Sequence, residues 1–281
     1  MTGALQDLTA ELEVIVYDRL GNWPPAWEGY HWPGYTWEHT LRVRDLALRL
    51  AREEGADAEV VALAALLHDI EKRVGREHAA AGAVEAELLL IERGVAPELT
   101  ERVRFAIETH AGGNTPQHPA ENLALGDADL IDANFGLVGV WRFITIRAGH
   151  GTSPEETVAA MPEWLPKKDE LLGLLNTDSG RAAAAERSAA MRAFCGQLAE
   201  AYRNGEVGEE LREMVGYINA NHERGSLIAQ MPGLRALAGS SDPVAVAACE
   251  RLAREMVGGL CSRGDACGPG GPPVARVTPA G

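Results

Sequence analysis

His39, His68, Asp69, His78 and His110 stand among apolar residues at helical spacing. Val43, Leu46 and Leu50 follow His39 at steps of three and four, so His39 points to the same inward face. Val61, Ala64 and Ala65 share a face with His68, and Leu99, Val103, Ala106 and Ile107 share one with His110. Imidazoles from three separate helices thus face inward. His78 opens a further segment, with the small residues Ala81 and Gly82 one turn on. A single inward histidine is most often a hydrogen-bonded core residue. Several of them beside a buried carboxylate are harder to explain that way. An isolated buried carboxylate costs several kcal/mol, comparable to the whole stability margin of a domain. Asp69 therefore needs a cation. Lys72, three residues on, is one candidate. A divalent metal is the other, and it would satisfy neutral imidazoles at the same time.

The elements that must position these groups are helices. Apolar periodicity predicts them over residues 4–20, 38–54, 57–71, 77–93, 97–111, 120–135 and 137–148, with more over 153–260, the Ala-rich 181–204 clearest. The punctuation agrees: Gly55, Gly94 and Gly112–Gly113 follow three of them, and Asp57 can cap the second. No segment reads as a strand, so the class is all-α. Residues 20–37, with Trp23, Trp27, Trp32 and Trp37, read as an irregular aromatic loop that either glues itself to the core or walls a pocket. The chain divides into an N-terminal helix and loop (1–36), a central helical domain (37–150), a helical extension (151–260) and a Gly/Pro-rich tail (261–281) expected to be disordered.

Composition excludes some functions. The 26 basic against 41 acidic residues give a net charge of −15, which argues against a nucleic-acid groove. It does not exclude a small phosphorylated substrate, because a bound metal inverts the local field. No apolar run is long enough for a bilayer, and the acidic N-terminus is not a signal peptide. Cys195, Cys249, Cys261 and Cys267 lack metal-motif spacing and read as free thiols, so a cytoplasmic location is expected.

Three stretches, HTLRV (39–43), ALLHDIEK (65–72) and GDADLIDANFGLVGVWR (126–142), together resemble the HD-domain metal-dependent phosphohydrolase superfamily. Its pattern is a His, a later His-Asp pair and a distant Asp. The resemblance covers residues 30–150 and implies an HD-domain helical bundle with the rest as a C-terminal helical extension. Carried over, it assigns a divalent ion (Mn, Co, Ni, Fe or Mg) to His39, His68, Asp69 and Asp129, with Asp127 and Asp132 as rivals for the last position. Helix capping and solvated surface are the plainer roles for those two. Some branches hold a second metal, for which His78 and His110 stand in the right order. Without it, these two would bind substrate phosphate or stabilise a leaving group. The resemblance implies hydrolysis of a nucleotide or other small phosphorylated metabolite. Asp69 would orient water, Lys72 would contact phosphate, and Arg142 would clamp phosphate in a bidentate way. Surface salt bridging and a helix-end charge are the plainer roles for Lys72 and Arg142. The alternative is a mixed-valent di-iron oxygenase cleaving a C–C or C–P bond, or a site without turnover. His31, His118, His150 and His222 are not expected to be ligands, although His118 could line the pocket. The helices beyond residue 150 could cover the site, set specificity or form a homodimer face.

Overall fold

The computed structural model describes residues 3–21, 33–204, 208–239 and 242–256. Among these the chain is all-α: thirteen α-helices, two short 3₁₀ turns and no strand. The first helices are α1 (Gly3–Leu20), α2 (Pro33–Glu54) and α3 (Ala58–Leu67). Every residue of α3 from Val60 to Leu67 is buried. A helix apolar all round belongs at the centre of a bundle, and α3 is packed by α1 and α2 and by two later helices. Asp57 caps it, accepting from the Glu59 amide at 3.0 Å.

Two boundaries differ from the sequence expectation. First, α2 begins at Pro33, so residues 33–37 are helix, with Pro in the first-turn position it tolerates best. Trp37 stands edge-on to Tyr17 at 5.4 Å. Trp23, Trp27, Trp32 and His31 lie outside the described residues. Second, α3 stops at Leu67, four residues before the expected end. The Ile70 and Lys72 amides bond to the carbonyls three residues back, Leu67 and Asp69, and the chain tightens into a 3₁₀ segment over Lys72–Glu77.

The central bundle is completed by α4 (His78–Glu92), α5 (Pro97–Thr109), α6 (Ala120–Asn134) and α7 (Gly136–Gly149). α5 and α6 are the later helices that pack on α3. A single residue, Phe135, separates α6 from α7, and the reversal uses Gly136 at φ 86°.

Six helices follow: α8 (Pro154–Ala159), α9 (Met161–Leu172), α10 (Asp178–Arg203), α11 (Glu209–Ala220), α12 (Leu227–Ala238) and α13 (Pro243–Met256). Their apolar faces join the same hydrophobic core as the central helices. Buried polar bonds tie them in. Asp127 of α6 accepts from the Thr177 amide (2.8 Å) and hydroxyl (2.7 Å) at the start of α10. Trp141 Nε1 donates to Gln230 at 3.0 Å, and Glu255 accepts from the Val138 amide at 3.0 Å. Glu38 of α2 accepts from the Leu227 amide at 2.9 Å and from the Ser226 hydroxyl, capping α12 from across the bundle. Burial pushes the Glu38 carboxyl up to about 7, against the pull of Arg42. Glu38→Ala is expected to cost about 1–2 kcal/mol, the loss of a helix cap. Hydrogen exchange should show that loss concentrated in α12. No helix among the described residues is long and apolar enough to cross a membrane. Cys195 and Cys249 are buried free thiols; Cys261, Cys267 and the tail expected to be disordered lie outside the described residues.

Candidate metal centre

The ends of the helices aim the imidazoles. His68 and His110 are the residues that terminate α3 and α5. Each turns Nδ1 back to the carbonyl three residues earlier, His68 to Ala65 at 2.7 Å and His110 to Ile107 at 2.6 Å. His78, at the start of α4, does the same with Gly75 at 2.8 Å. A carbonyl only accepts, so Nδ1 carries the proton in all three and the Nε2 lone pair faces the interior. His39 differs: its Nδ1 is held by Asp132 Oδ2 at 2.8 Å.

The Nε2 atoms meet two carboxylates. His39 Nε2 lies 3.0 Å from Asp129 Oδ1 and 3.8 Å from Asp69 Oδ2. His68 Nε2 lies 3.6 Å from Asp69 Oδ2 and 4.0 Å from Asp129 Oδ1. Ligands about 2.1 Å from one ion sit roughly 3–4 Å from each other, so His39, His68 and Asp129 group around a space for one ion, and Asp69 Oδ2 lies within that range of both imidazoles. His68 Nε2 and Asp69 Oδ2 are wholly buried and have no hydrogen-bond partner, a costly state in a protein interior. The donor set, neutral imidazole plus carboxylate, suits a first-row divalent ion. His39, His68, Asp69 and Asp129 would hold it.

The other oxygen of Asp69 faces a second group. Lys72 Nζ is 3.0 Å from Asp69 Oδ1 and 3.1 Å from His78 Nε2. His78 Nε2 and His110 Nε2 are 3.4 and 3.7 Å from the same oxygen. Lys72 and a metal were alternatives for neutralising Asp69; the geometry gives each its own carboxylate oxygen. The Lys72 pair is interior rather than on the surface, with 9% of the lysine side chain exposed.

Charge in the site follows from burial and neighbours. Burial alone would raise Asp69, but Lys72 and then His68 hold it well below the usual carboxylate range. Burial pushes His68 down to about 4, so it is neutral at neutral pH, as a metal ligand must be. Burial and then the Lys72 ammonium lower His78. Asp129 and Asp132 stay low despite burial, through His39 for the first and Arg42 for the second.

The rivals for the fourth ligand position separate clearly. Asp127 spends both oxygens on Asn176 and Thr177 and is a cap. Asp132 is fully buried and is not a solvated surface residue. It grips His39 Nδ1 on one side and Arg42 Nε, at 3.0 Å, on the other. It was not expected as a positioning group, nor was Arg42. The signal was present in the spacing: Asp132 is three residues after Asp129, and Arg42 three after His39, each on its partner's helix face. Asp132→Asn should weaken metal binding about 10–100-fold, the usual cost of losing a histidine's carboxylate partner. Titration with Mn²⁺ would read it. Arg142 is not beside the ligand set. Its guanidinium lies 4.9 Å over the Tyr35 ring, and that ring stacks on His39 at 5.3 Å. His118 packs on Phe105 and contacts Asn114, and His150 is exposed.

A helical bundle whose α2, α3 and α6 bring imidazoles and carboxylates to one buried space defines a class of helical metal-dependent hydrolase folds. The chain belongs to the HD-domain superfamily of metal-dependent phosphohydrolases. Residues 36–134 match the model of the HD domain. The protein YpgQ of Bacillus subtilis (strain 168) is 33% identical over 172 residues, covering 59% of this chain and 83% of YpgQ. The crystal structure of YpgQ in complex with ADP superposes with a TM-score of 0.53 at 25% identity, over 70% of this chain and 96% of YpgQ. An HD-superfamily hydrolase from Bacillus thuringiensis shares the fold at a TM-score of 0.55 and 22% identity, over 71% of this chain and 99% of that one.

Proposed function

We propose that this protein is a single-metal phosphohydrolase acting on a nucleotide or another small phosphorylated metabolite. The observation that carries this reading is the position of Lys72. Its ammonium bonds Asp69 Oδ1 and His78 Nε2, two of the groups a second metal would need. A divalent ion at His39, His68, Asp69 and Asp129 would supply Lewis acidity, lowering the pKa of water toward neutrality and polarising a phosphoryl oxygen. Lys72 has three N–H donors and the two contacts above use two of them, leaving one for a phosphoryl oxygen. Asp69 would also orient the attacking water. His110 Nε2, buried and without a partner, is left to hydrogen-bond the substrate or leaving group. Arg142 lies behind the buried Tyr35 ring and donates to the Ala133 carbonyl at 3.1 Å, so it has no part in this reading. At a net charge of −15 the chain does not steer an anion from afar, so Lys72 and the ion must hold it. The nucleotide class is supported by ADP in the YpgQ crystal.

The group of His68, Asp69 and His110 could also hold an ion, which is what a di-iron oxygenase would require. One experiment separates the two. The purified protein should carry about one metal per chain and release phosphate or pyrophosphate from members of a nucleotide panel. Lys72→Ala should raise the metal content toward two per chain while hydrolysis falls. Two irons in the wild type, with oxygen uptake and no phosphate released, would sink the proposal.

A further inference from the structure

Away from the metal centre, α2, α10 and α13 line a half-open cavity of about 300 Å³, at the small end of ligand-pocket size. No metal-ligand candidate lines it. Five arginines do: Arg42, Arg49, Arg52, Arg187 and Arg254, against the acids Asp45 and Glu255. In a chain with 15 more acidic than basic residues, so many guanidinium groups in one cavity demand a counter-charge. The acids present supply only part of it: Asp45 keeps a buried Oδ2 without a hydrogen-bond partner, and the cation acting on its carboxyl is Arg44, outside the lining. Glu255 is already occupied by Arg251 and the Val138 amide. Asp132 lies behind the cavity wall and is shared between Arg42 and His39.

Two of the lining guanidinium groups are buried and incompletely paired. Arg42 is 4% and Arg187 8% exposed, yet Arg42 Nη2 and Arg187 Nη1 have no hydrogen-bond partner. Arg187 Nη1 comes no closer than 3.8 Å to Asp132. Buried guanidinium N–H groups without acceptors are expensive. The exposed Arg49, Arg52 and Arg254 stand at the open side. Planar forks at two depths suit an anion with oxygens on more than one centre, and phosphate oxygens match the fork in a bidentate way.

We propose that this cavity is a second anion-binding site, distinct from the metal centre, that takes a compact polyanion bearing at least two phosphoryl groups. The source is either a free inorganic polyphosphate or the phosphate tail of a nucleotide. Through Arg42 and Asp132 the bound anion would be two side chains from His39.

The test is calorimetric titration of inorganic tripolyphosphate into the full chain and three variants, with metal content measured in each. Arg49→Gln/Arg52→Gln changes only exposed side chains and should weaken tripolyphosphate binding by at least about tenfold, with metal content unchanged. Arg187→Gln should weaken it similarly. Asp129→Asn should lose metal and keep tripolyphosphate binding. A repeat with a non-hydrolysable ATP analogue separates the sources. Tighter binding than tripolyphosphate, with the same dependence on Arg49 and Arg52, identifies a nucleotide tail. Equal or weaker binding identifies free polyphosphate. If tripolyphosphate does not bind, or binds the rim variant unchanged and fails to bind Asp129→Asn, the cavity is not an anion site and the idea is wrong.

Discussion

Asp129→Ala is expected to empty the metal centre. Metal content should fall from about one ion per chain to background, and phosphohydrolase activity should fall with it by well over the ~100-fold that losing a ligand's hydrogen-bond partner can cost. Asp129 is the most exposed of the four ligand candidates, 19% against 1% or less for the others. Its removal should therefore leave the fold intact, and circular dichroism should be unchanged. His68→Ala should lose metal equally but also open a cavity where three helices meet, so its stability should drop as well. Retention of full metal content by Asp129→Ala would remove it from the ligand set.

Arg42→Met should be the most destabilising single change near the site. Arg42 and Asp132 form a buried ion pair at 3.0 Å, and removing one member leaves the other charged and underpaired. Breaking such a pair costs about 3–5 kcal/mol, which for a chain of this size is about 10 °C in Tm. His39 would keep one hydrogen bond to Asp132, so metal binding should weaken less than in Asp132→Asn. The double variant Arg42→Met/Asp132→Asn should recover part of the lost stability, because the stranded charge is gone. Additive losses in denaturant unfolding would mean that the pair is not coupled.

Much of this architecture was legible in the sequence because helices announce themselves by period. The stripes after His39 and before His68 and His110 place those imidazoles inside, and the structure puts all three in one group. The end of α3 was not legible. An apolar run says that a helix is buried but not where its hydrogen bonds shorten from four residues to three. The spacing puts Asp132 on the face of Asp129 and Arg42 on the face of His39, but it does not say that the two, 90 residues apart, pair in the interior. The arginine cavity was invisible for the same reason: Arg187 and Arg254 are far from α2 in the chain and meet it only once α10 and α13 fold back.

Three of the four imidazoles owe their tautomer to a main-chain carbonyl, and only His39 owes it to a side chain. A carbonyl cannot be altered by a codon change. Drift in sequence therefore leaves His68, His78 and His110 oriented as long as their helices end where they do. Among the four imidazoles, only His39 is held by a group that a substitution can change, and through Arg42 that arm touches the arginine cavity.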